Sequence, residues 1–514
     1  KMKAYIVEGT DVSEQEVPAD LMDAASAAHS VLVENVAVSD EELMNEYLES
    51  GSLPFEKLSS ALRKAIAAGE VLPVFCGSAT GNRGARNLLD NLVDIFPGPA
   101  DLPMAKGTLA GVDIDLPHDP AGPPVAFVIK TAIDQFLGKL SVVRVFSGAF
   151  KPEMGLLNTT KGDKQKAGNV YLIKGKEYVA VDSLSAGEIG AIAKLETTGT
   201  GDTIATDARP VVLPPVTWPT PIYALAISPK TKNDETRLST GLQRLAEEDP
   251  LFHWVRDPET HETVVSGMGQ IHVETMLGRL KDRFNTQVET KTPEIPYKET
   301  IKGRAEVQGR HKKQSGGRGQ FGDTWLRLEP MERGGGFEFV DAIVGGVVPK
   351  NFIPAVEKGL VEAMERGALA GYPAVDMRIT LYDGSYHNVD SSEMAFKIAA
   401  SIGYKKGIQL AKPILLEPIY DITVEVPSQY MGDIMGDLSS KRGRVTSTDQ
   451  RGKNSIIKAK VPLEEIQTYS ADLNSLTAGQ GAFSVEFSHY DEVPGDKAMK
   501  IVEARKHLVA EEVA

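Results

Sequence analysis

The stretch His311-Lys312-Lys313-Gln314-Ser315-Gly316-Gly317-Arg318-Gly319-Gln320-Phe321-Gly322 decides how this chain is read. It contains a formal G-x-G-x-x-G. A dinucleotide fingerprint follows an apolar strand, opens a helix and is answered by an acidic residue about 20 positions on. This one follows a basic run and leads into Asp323-Thr324-Trp325-Leu326-Arg327-Leu328, which alternates like a strand. Glycines set between cations, with strand beyond, make a flexible positive loop. Its freed amides and Arg318 suit phosphate oxygens. A solvated hairpin whose charges protect an edge strand is the competing reading.

The net charge of −15 argues against nucleic acid until its distribution is read. Residues 1–50 hold 12 acidic and 2 basic side chains, so they alone supply −10. Residues 302–320 hold six cations against Glu306, for +5. Screening over about 8 Å makes local charge decide phosphate contact, so an acidic total and a basic loop coexist. With 41% hydrophobic and 25% charged residues the chain is ordinary folded protein, and 514 residues imply about three to five domains. No apolar run approaches the roughly 18 residues of a membrane span. The opening Lys1-Met2-Lys3-Ala4-Tyr5 leads into acidic sequence, unlike a secretory signal. A lone Cys76 excludes an internal disulfide and fits a reducing, cytoplasmic setting.

The pattern changes along the chain. From Ala19 to Ala68 it is acidic and helix-like. Val71 to Ala79 reads as a short buried strand, and Leu88, Leu89, Leu92, Val93 and Ile95 as a helical stripe. A Pro/Gly-rich stretch follows, reaching Pro124. From Val125 the period is two, with Val125, Phe127, Ile129, Thr131 and Ile133 on one face. Short strands divided by glycine turns predict a β-barrel. After Pro210 to Pro221 the order is strand, helix, strand, strand, helix, strand, a split βαβ. A segment beginning Pro418-Ile419-Tyr420 echoes it, with one helix through Met431, Ile434 and Leu438 and another from Leu463 to Leu476. These units place boundaries at 1–103, 104–215, 216–290, 291–412 and 413–514. The fold class is therefore multidomain α/β and α+β.

Three further stretches could carry function. Ser78 and Ala79 follow the apolar run, as where GTPases turn backbone amides toward guanine; an ordinary strand end is the plainer alternative. Asp383 to Glu393 ends a strand and opens a helix. Asp390 and Glu393 have capping-box spacing, which would present Tyr386 and His387 at a tip. An incidental surface turn competes with that reading. Lys441, Arg442 and Arg444 cluster near a helix end, where cations also suit the macrodipole. The sequence holds no H-E-x-x-H, C-x-x-C, G-x-S-x-G or G-x-x-x-x-G-K-[ST], and its nine histidines lack metal-ligand spacing. No metal site is expected.

In order along the chain, these segments resemble bacterial elongation factor G, a translational GTPase. The likeness rests on Cys76-Gly77-Ser78-Ala79, Asn158-Thr159-Thr160-Lys161-Gly162, Gly201-Asp202-Thr203 and Ser266-Gly267-Met268-Gly269-Gln270-Ile271-His272. It continues through Gln314 to Gly322, Tyr386-His387 to Lys397, Gly436-Asp437-Leu438, Arg442-Gly443 and Phe487-Ser488-His489-Tyr490. The resemblance implies a remnant of a GTPase domain with its acidic insert, a domain II barrel, ferredoxin-like domains III and V, and an α+β domain IV. It implies a monomeric ribosomal translocase, with no membrane partner, that moves tRNA and mRNA. Ser78 and Ala79 would contact guanine. Lys312, Lys313, Arg318, Gln320, Tyr386 and His387 would face tRNA and mRNA. Lys441, Arg442 and Arg444 would meet ribosomal RNA, and the acidic insert the stalk proteins. The P-loop, both switches and the guanine-specifying motif would lie upstream of Lys1. GTP and Mg²⁺ are thus expected for an intact protein, with neither cofactor nor catalytic residue in this proteolytic or designed fragment. Gln270, Gln480 and His311-Lys312-Lys313 depart from the common pattern. They raise a paralogue branch acting in recycling, protection or regulation as an alternative.

Overall fold

The computed structural model describes residues 2–8, 11–38, 41–134, 136–314 and 319–511. Internal contacts divide the chain into two compact units, Lys1–Val216 and Thr217–Ala514.

In the first unit the acidic segment folds into a hairpin, Ala4–Glu8 with Asp11–Gln15, and three helices. These are Met22–Ala37, Glu41–Ser50 and Phe55–Ala68, and they share a small core of Val33, Val36, Leu53, Leu58 and Ala61. The strand expected over Val71 to Ala79 is absent. Leu72 and Val74 are exposed, and the stretch makes only a Ser78–Arg83 bridge. An apolar run becomes a strand only when a neighbour supplies ladder partners, and none of the described residues does. The helix Ala85–Ile95 forms as expected, yet of its stripe only Ile95 is buried.

The barrel is an eight-stranded, wholly antiparallel sheet. Its rolling is visible in the core, where Ala126, Val128, Val143, Leu156, Val170 and Ile192 from distant strands meet. The single face expected for Val125 to Ile133 is broken by register shifts at Val125/Ala126 and Val128/Lys130. Ala126 and Val128 therefore point into the barrel, Val125 and Phe127 join a second cluster with Leu116 and Leu213, and Ile129 is exposed.

The second unit opens with the split βαβ. Strand Tyr223–Pro229 lies between Thr263–Gly267 and Val288–Lys291, with His253–Arg256 at the edge. Helices Lys232–Glu248 and Gln270–Phe284 bury Leu242, Leu245, Val273 and Leu280 against the sheet. Thr231 and Asp234 cap the first helix reciprocally.

The rest of this unit contains strands β1 (Lys298–Ile301), β2 (Ala305–Lys313), β3 (Gln320–Pro330) and β4 (Phe337–Asp341), then helix α1 (Ile353–Arg366). Strand β5 (Met377–Ser385), helix α2 (Glu393–Leu410) and strand β6 (Pro413–Pro427) follow. Last come helix α3 (Met431–Ser440), strands β7 (Arg444–Arg451) and β8 (Asn454–Pro462), and strand β9 (Ala482–Glu492). One sheet has the order β2-β3-β5-β4, with β4 parallel to β5. Helix α2 lies on it closely because glycines meet glycines. A Cβ on Gly309 would lie 2.6 Å from the Gly403 nitrogen and run into the Ala399 carbonyl, and one on Gly407 would meet Leu328 at 2.7 Å. The other sheet runs β1-β6-β8-β7, with β9 also on β6. Strand β1 thus belongs to the 291–412 segment but pairs with the first residues of β6. The helix expected from Leu463 to Leu476 is two pieces, Leu463–Ile466 and Tyr469–Thr477.

Candidate nucleic-acid interface

The basic loop joins β2 to β3, a hairpin in which Lys312 pairs with Phe321 and Lys313 with Gln320. Lys312 and Lys313 are exposed, with no ion pair among the described residues. Gln320 holds the His311 ring at 2.9 Å, and the Arg310 guanidinium lies over Phe321 at 5.6 Å. Ser315, Gly316, Gly317 and Arg318 lie outside the described residues, so the expectation for Arg318 has no structural counterpart.

The second loop leaves β5 and enters α2. Tyr386 and His387 are both exposed there, the His387 side chain at 57%. The helix cap differs from expectation. Ser392 is the N-cap, and its hydroxyl accepts the Ala395 amide at 3.2 Å. Asp390 is thereby released for another task. Its Oδ1 accepts the Gly319 amide at 3.0 Å, its carbonyl accepts the Phe321 amide at 2.9 Å, and Oδ2 lies 3.2 Å from His387 Nδ1. One residue therefore ties the basic loop to the histidine loop. The sequence reading missed this, because spacing reveals a cap but not a partner 71 residues away.

The His387 loop is internally braced. The His387 amide donates to Ser391 Oγ at 2.9 Å, and the Ser391 amide returns to the His387 carbonyl at 3.0 Å. Ring atom Nδ1 lies 3.2 Å from both the Asp390 amide nitrogen and its Oδ2, so Asp390 fixes the ring from one side. The rest of the ring is exposed, as is Tyr386.

The other candidates are placed differently. Ser78 bridges to Arg83 across a turn, with its amide donating to the Arg83 carbonyl at 3.0 Å and its hydroxyl accepting the Gly81 amide at 3.1 Å; Ala79 is exposed. The basic cluster near α3 needs correction. Arg442 donates to Glu417 through both terminal nitrogens, at 2.6 and 2.9 Å, and to Glu465 through Nε at 2.9 Å. These carboxylates, Glu417 first, hold its pKa well above the ordinary arginine value. Its guanidinium is committed inside the domain and is not offered to phosphate. Lys441 is paired with Asp437 and Asp472 and is mostly buried. Of the three, only Arg444 is exposed without a recorded ion pair among the described residues.

The comparisons follow this geometry. The family model "Elongation factor G domain 2" matches residues 123–207, and "Elongation Factor G, domain III" matches residues 218–292. "Elongation factor G, domain IV" matches 293–412 and "Elongation factor G C-terminus" matches 414–501. A crystal structure of a protein from Thermus thermophilus is 36% identical, with a TM-score of 0.74. That similarity covers 98% of this chain and 74% of the Thermus chain.

The chain belongs to the elongation factor G family.

The β2–β3 and β5–α2 loops are accordingly the two joined loops of its domain IV, and Arg442 lies in its C-terminal domain. Family membership carries a translation elongation factor-type function and an interaction with the ribosome in general. The family's activity is that of translational GTPases. No described helix is long and apolar enough to cross a membrane. Among the described residues no group of three or more His, Cys, Asp and Glu side chains could hold a metal ion.

Proposed function

We propose that this chain is the ribosome-engaging part of a factor that promotes GTP-dependent translocation of tRNA and mRNA. The observation that supports it best is the Asp390 tie. It joins the β2–β3 hairpin, whose strand end bears Lys312 and Lys313, to a loop presenting Tyr386 and His387. A surface offering ammonium groups, an aromatic face and an imidazole can take phosphates, bases and sugar hydroxyls together. Gln320 adds a neutral amide beside the two lysines, Arg318 joins them on the sequence alone, and Arg444 is the remaining candidate for ribosomal RNA in the C-terminal domain. The acidic helices at residues 22–68 suit a basic or apolar protein surface such as the ribosomal stalk. The factor acts as a monomer in the cytoplasm.

GTP and Mg²⁺ are the cofactors of the intact factor in this reading. Of the two residues expected at guanine, Ser78 spends its amide and hydroxyl within its turn while the Ala79 amide has no partner among the described residues, and the sequence has no phosphate-binding P-loop.

The test uses the intact factor. His387→Ala should slow tRNA–mRNA movement while ribosome-stimulated GTP hydrolysis stays near its starting rate; equal loss of both would assign His387 to folding. Neutralising Lys312, Lys313 and Arg318 should flatten the salt dependence of ribosome binding. A second reading, a paralogue that occupies the factor site for recycling, protection or regulation, is favoured by Gln270, Gln480 and His311-Lys312-Lys313. Ribosome binding without any translocation would select it.

A further inference from the structure

Three connections, rather than two, converge on one end of the β2-β3-β5-β4 sheet. Strand β4 runs parallel to β5, with Phe337 beside Met377 and Asp341 beside Leu381. The chain leaving Asp341 therefore emerges at the end where β5 delivers Ser385 to the histidine loop. Its root is pinned there. The Ala342 amide donates to the Leu381 carbonyl at 2.9 Å, the Ile343 amide to Asp341 Oδ1 at 3.0 Å, and buried Val348 sits so close to Gly384 that a Cβ there would lie 2.5 Å from it. Across the end of the sheet the order is basic loop, histidine loop, then residues 342–350.

The apex of this third loop is unlike its neighbours. Val344 is 82% exposed and Val347 is exposed beside it. Between them Gly345 and Gly346 have φ of 74° and 71°, with nothing within 4 Å of where a Cβ would stand. The amides of Val344, Gly345 and Gly346 donate to no partner among the described residues. Lys350 is exposed at the loop's far side. The two left-handed glycines make a tight turn that lifts both valines off the fold. Free amides on a backbone without Cβ atoms allow close approach of a ligand rich in acceptors. Flanking valines suit ribose carbons, and Lys350 gives the loop a cation of its own.

We propose that residues 342–350 are a third RNA-contacting element. It would hold a sugar–phosphate backbone through the three free amides while Val344 and Val347 pack on riboses. The proposal rests on the reading of this end of domain IV as facing RNA. It adds that the bound RNA spans the whole end of the sheet, with the histidine loop over its middle. The backbone could be that of tRNA, mRNA or ribosomal RNA, since all offer the same chemistry.

Directed hydroxyl-radical probing tests it, in the intact factor with Cys76→Ser as background. Any further cysteine of the intact factor is likewise replaced, an iron chelate is tethered at Val344→Cys or, separately, at Lys312→Cys, and the factor is bound to ribosomes carrying tRNA and mRNA. Cleavage of RNA from both positions is expected, and the strand cut from position 344 names the source. Cleavage from 312 but not from 344 overturns the third element and leaves the reading of the tip intact. Cleavage from neither removes that reading as well. Gly345→Ala/Gly346→Ala should weaken ribosome binding about fivefold with the salt slope unchanged. Val344→Ser/Val347→Ser alters only exposed side chains and should weaken binding in the same direction. Full affinity in the serine variant, with an unshifted unfolding midpoint, would overturn the packing on ribose.

Discussion

Asp390 Oδ1 accepts the backbone amide of Gly319 at 3.0 Å, across 71 residues of sequence. The Cβ that any other residue would carry at 319 would stand 3.0 Å from the Asp390 carboxyl carbon, so a larger residue there would push the carboxylate aside. Asp390→Ala should raise hydrogen exchange at the Gly319 amide while the Phe321 amide, bonded to the Asp390 carbonyl, stays protected. The stability change should be small, about 0.5–1.5 kcal/mol. Equal exchange at Gly319 in both proteins would mean the tie does not persist in solution.

Glu299 is fully buried on β1, and its carboxylate accepts four backbone amides. Oε2 takes those of Ala368 and Leu369 at 2.7 and 2.9 Å, and Oε1 those of Ala370 and Tyr372 at 2.7 and 3.1 Å. Glu299→Ala strands all four donors and should cost at least about 3 kcal/mol in urea unfolding. Glu299→Gln keeps one acceptor oxygen but turns an NH₂ toward two amides, so it should fall between. A glutamine variant as stable as the parent would show that the charge contributes nothing.

Gly309→Ala would drive a methyl into the Ala399 carbonyl on α2. Overpacking of this kind costs about 1–3 kcal/mol. Gly155→Ala, with open space around its Cβ position, is the control and should be near neutral. Equal midpoints for the two would disprove the close helix–sheet contact.

Glu465 sets a pH dependence. Burial raises its pKa, but hydrogen bonds from Lys497 at 3.1 Å and Arg442 at 2.9 Å outweigh burial and leave the folded value lowered. A lowered folded value means stability that is full above the unfolded carboxylate pKa of about 4.3 and is lost as pH falls through the folded one. Asp421 is lowered in the same sense, first by its hydrogen bond with Lys460. The urea midpoint of the C-terminal domain should therefore drop from pH 7 to pH 3, and Glu465→Gln should shrink that drop. An undiminished drop in the variant would assign it to other groups.

Elements held by their own amphipathic pattern could be read from sequence. The buried Val273 and Leu280 are helical neighbours, and the Leu326–Leu328 alternation needs only local geometry. What depends on a distant partner was not legible. Val71 to Val74 is as apolar as a strand but has no ladder beside it. The bulge that turns Ile129 outward leaves no mark in an alternating sequence. At the candidate site, exposure of Tyr386 and His387 followed from turn chemistry, whereas Lys312 and Lys313, expected on the loop, are exposed at the end of strand β2. Arg442 could not be placed, because its partners Glu417 and Glu465 lie 25 and 23 residues away and nothing local distinguishes a paired guanidinium from a free one.

Strand β6 is unbroken from Pro413 to Pro427. Its first residues pair with β1, at the root of domain IV, while β8 and β9 pair with the remainder. Turning domain IV against the C-terminal domain would shear a hydrogen-bonded ladder instead of bending a linker. Load applied at the His387 loop is then carried as by a lever whose shaft is continuous through its mounting.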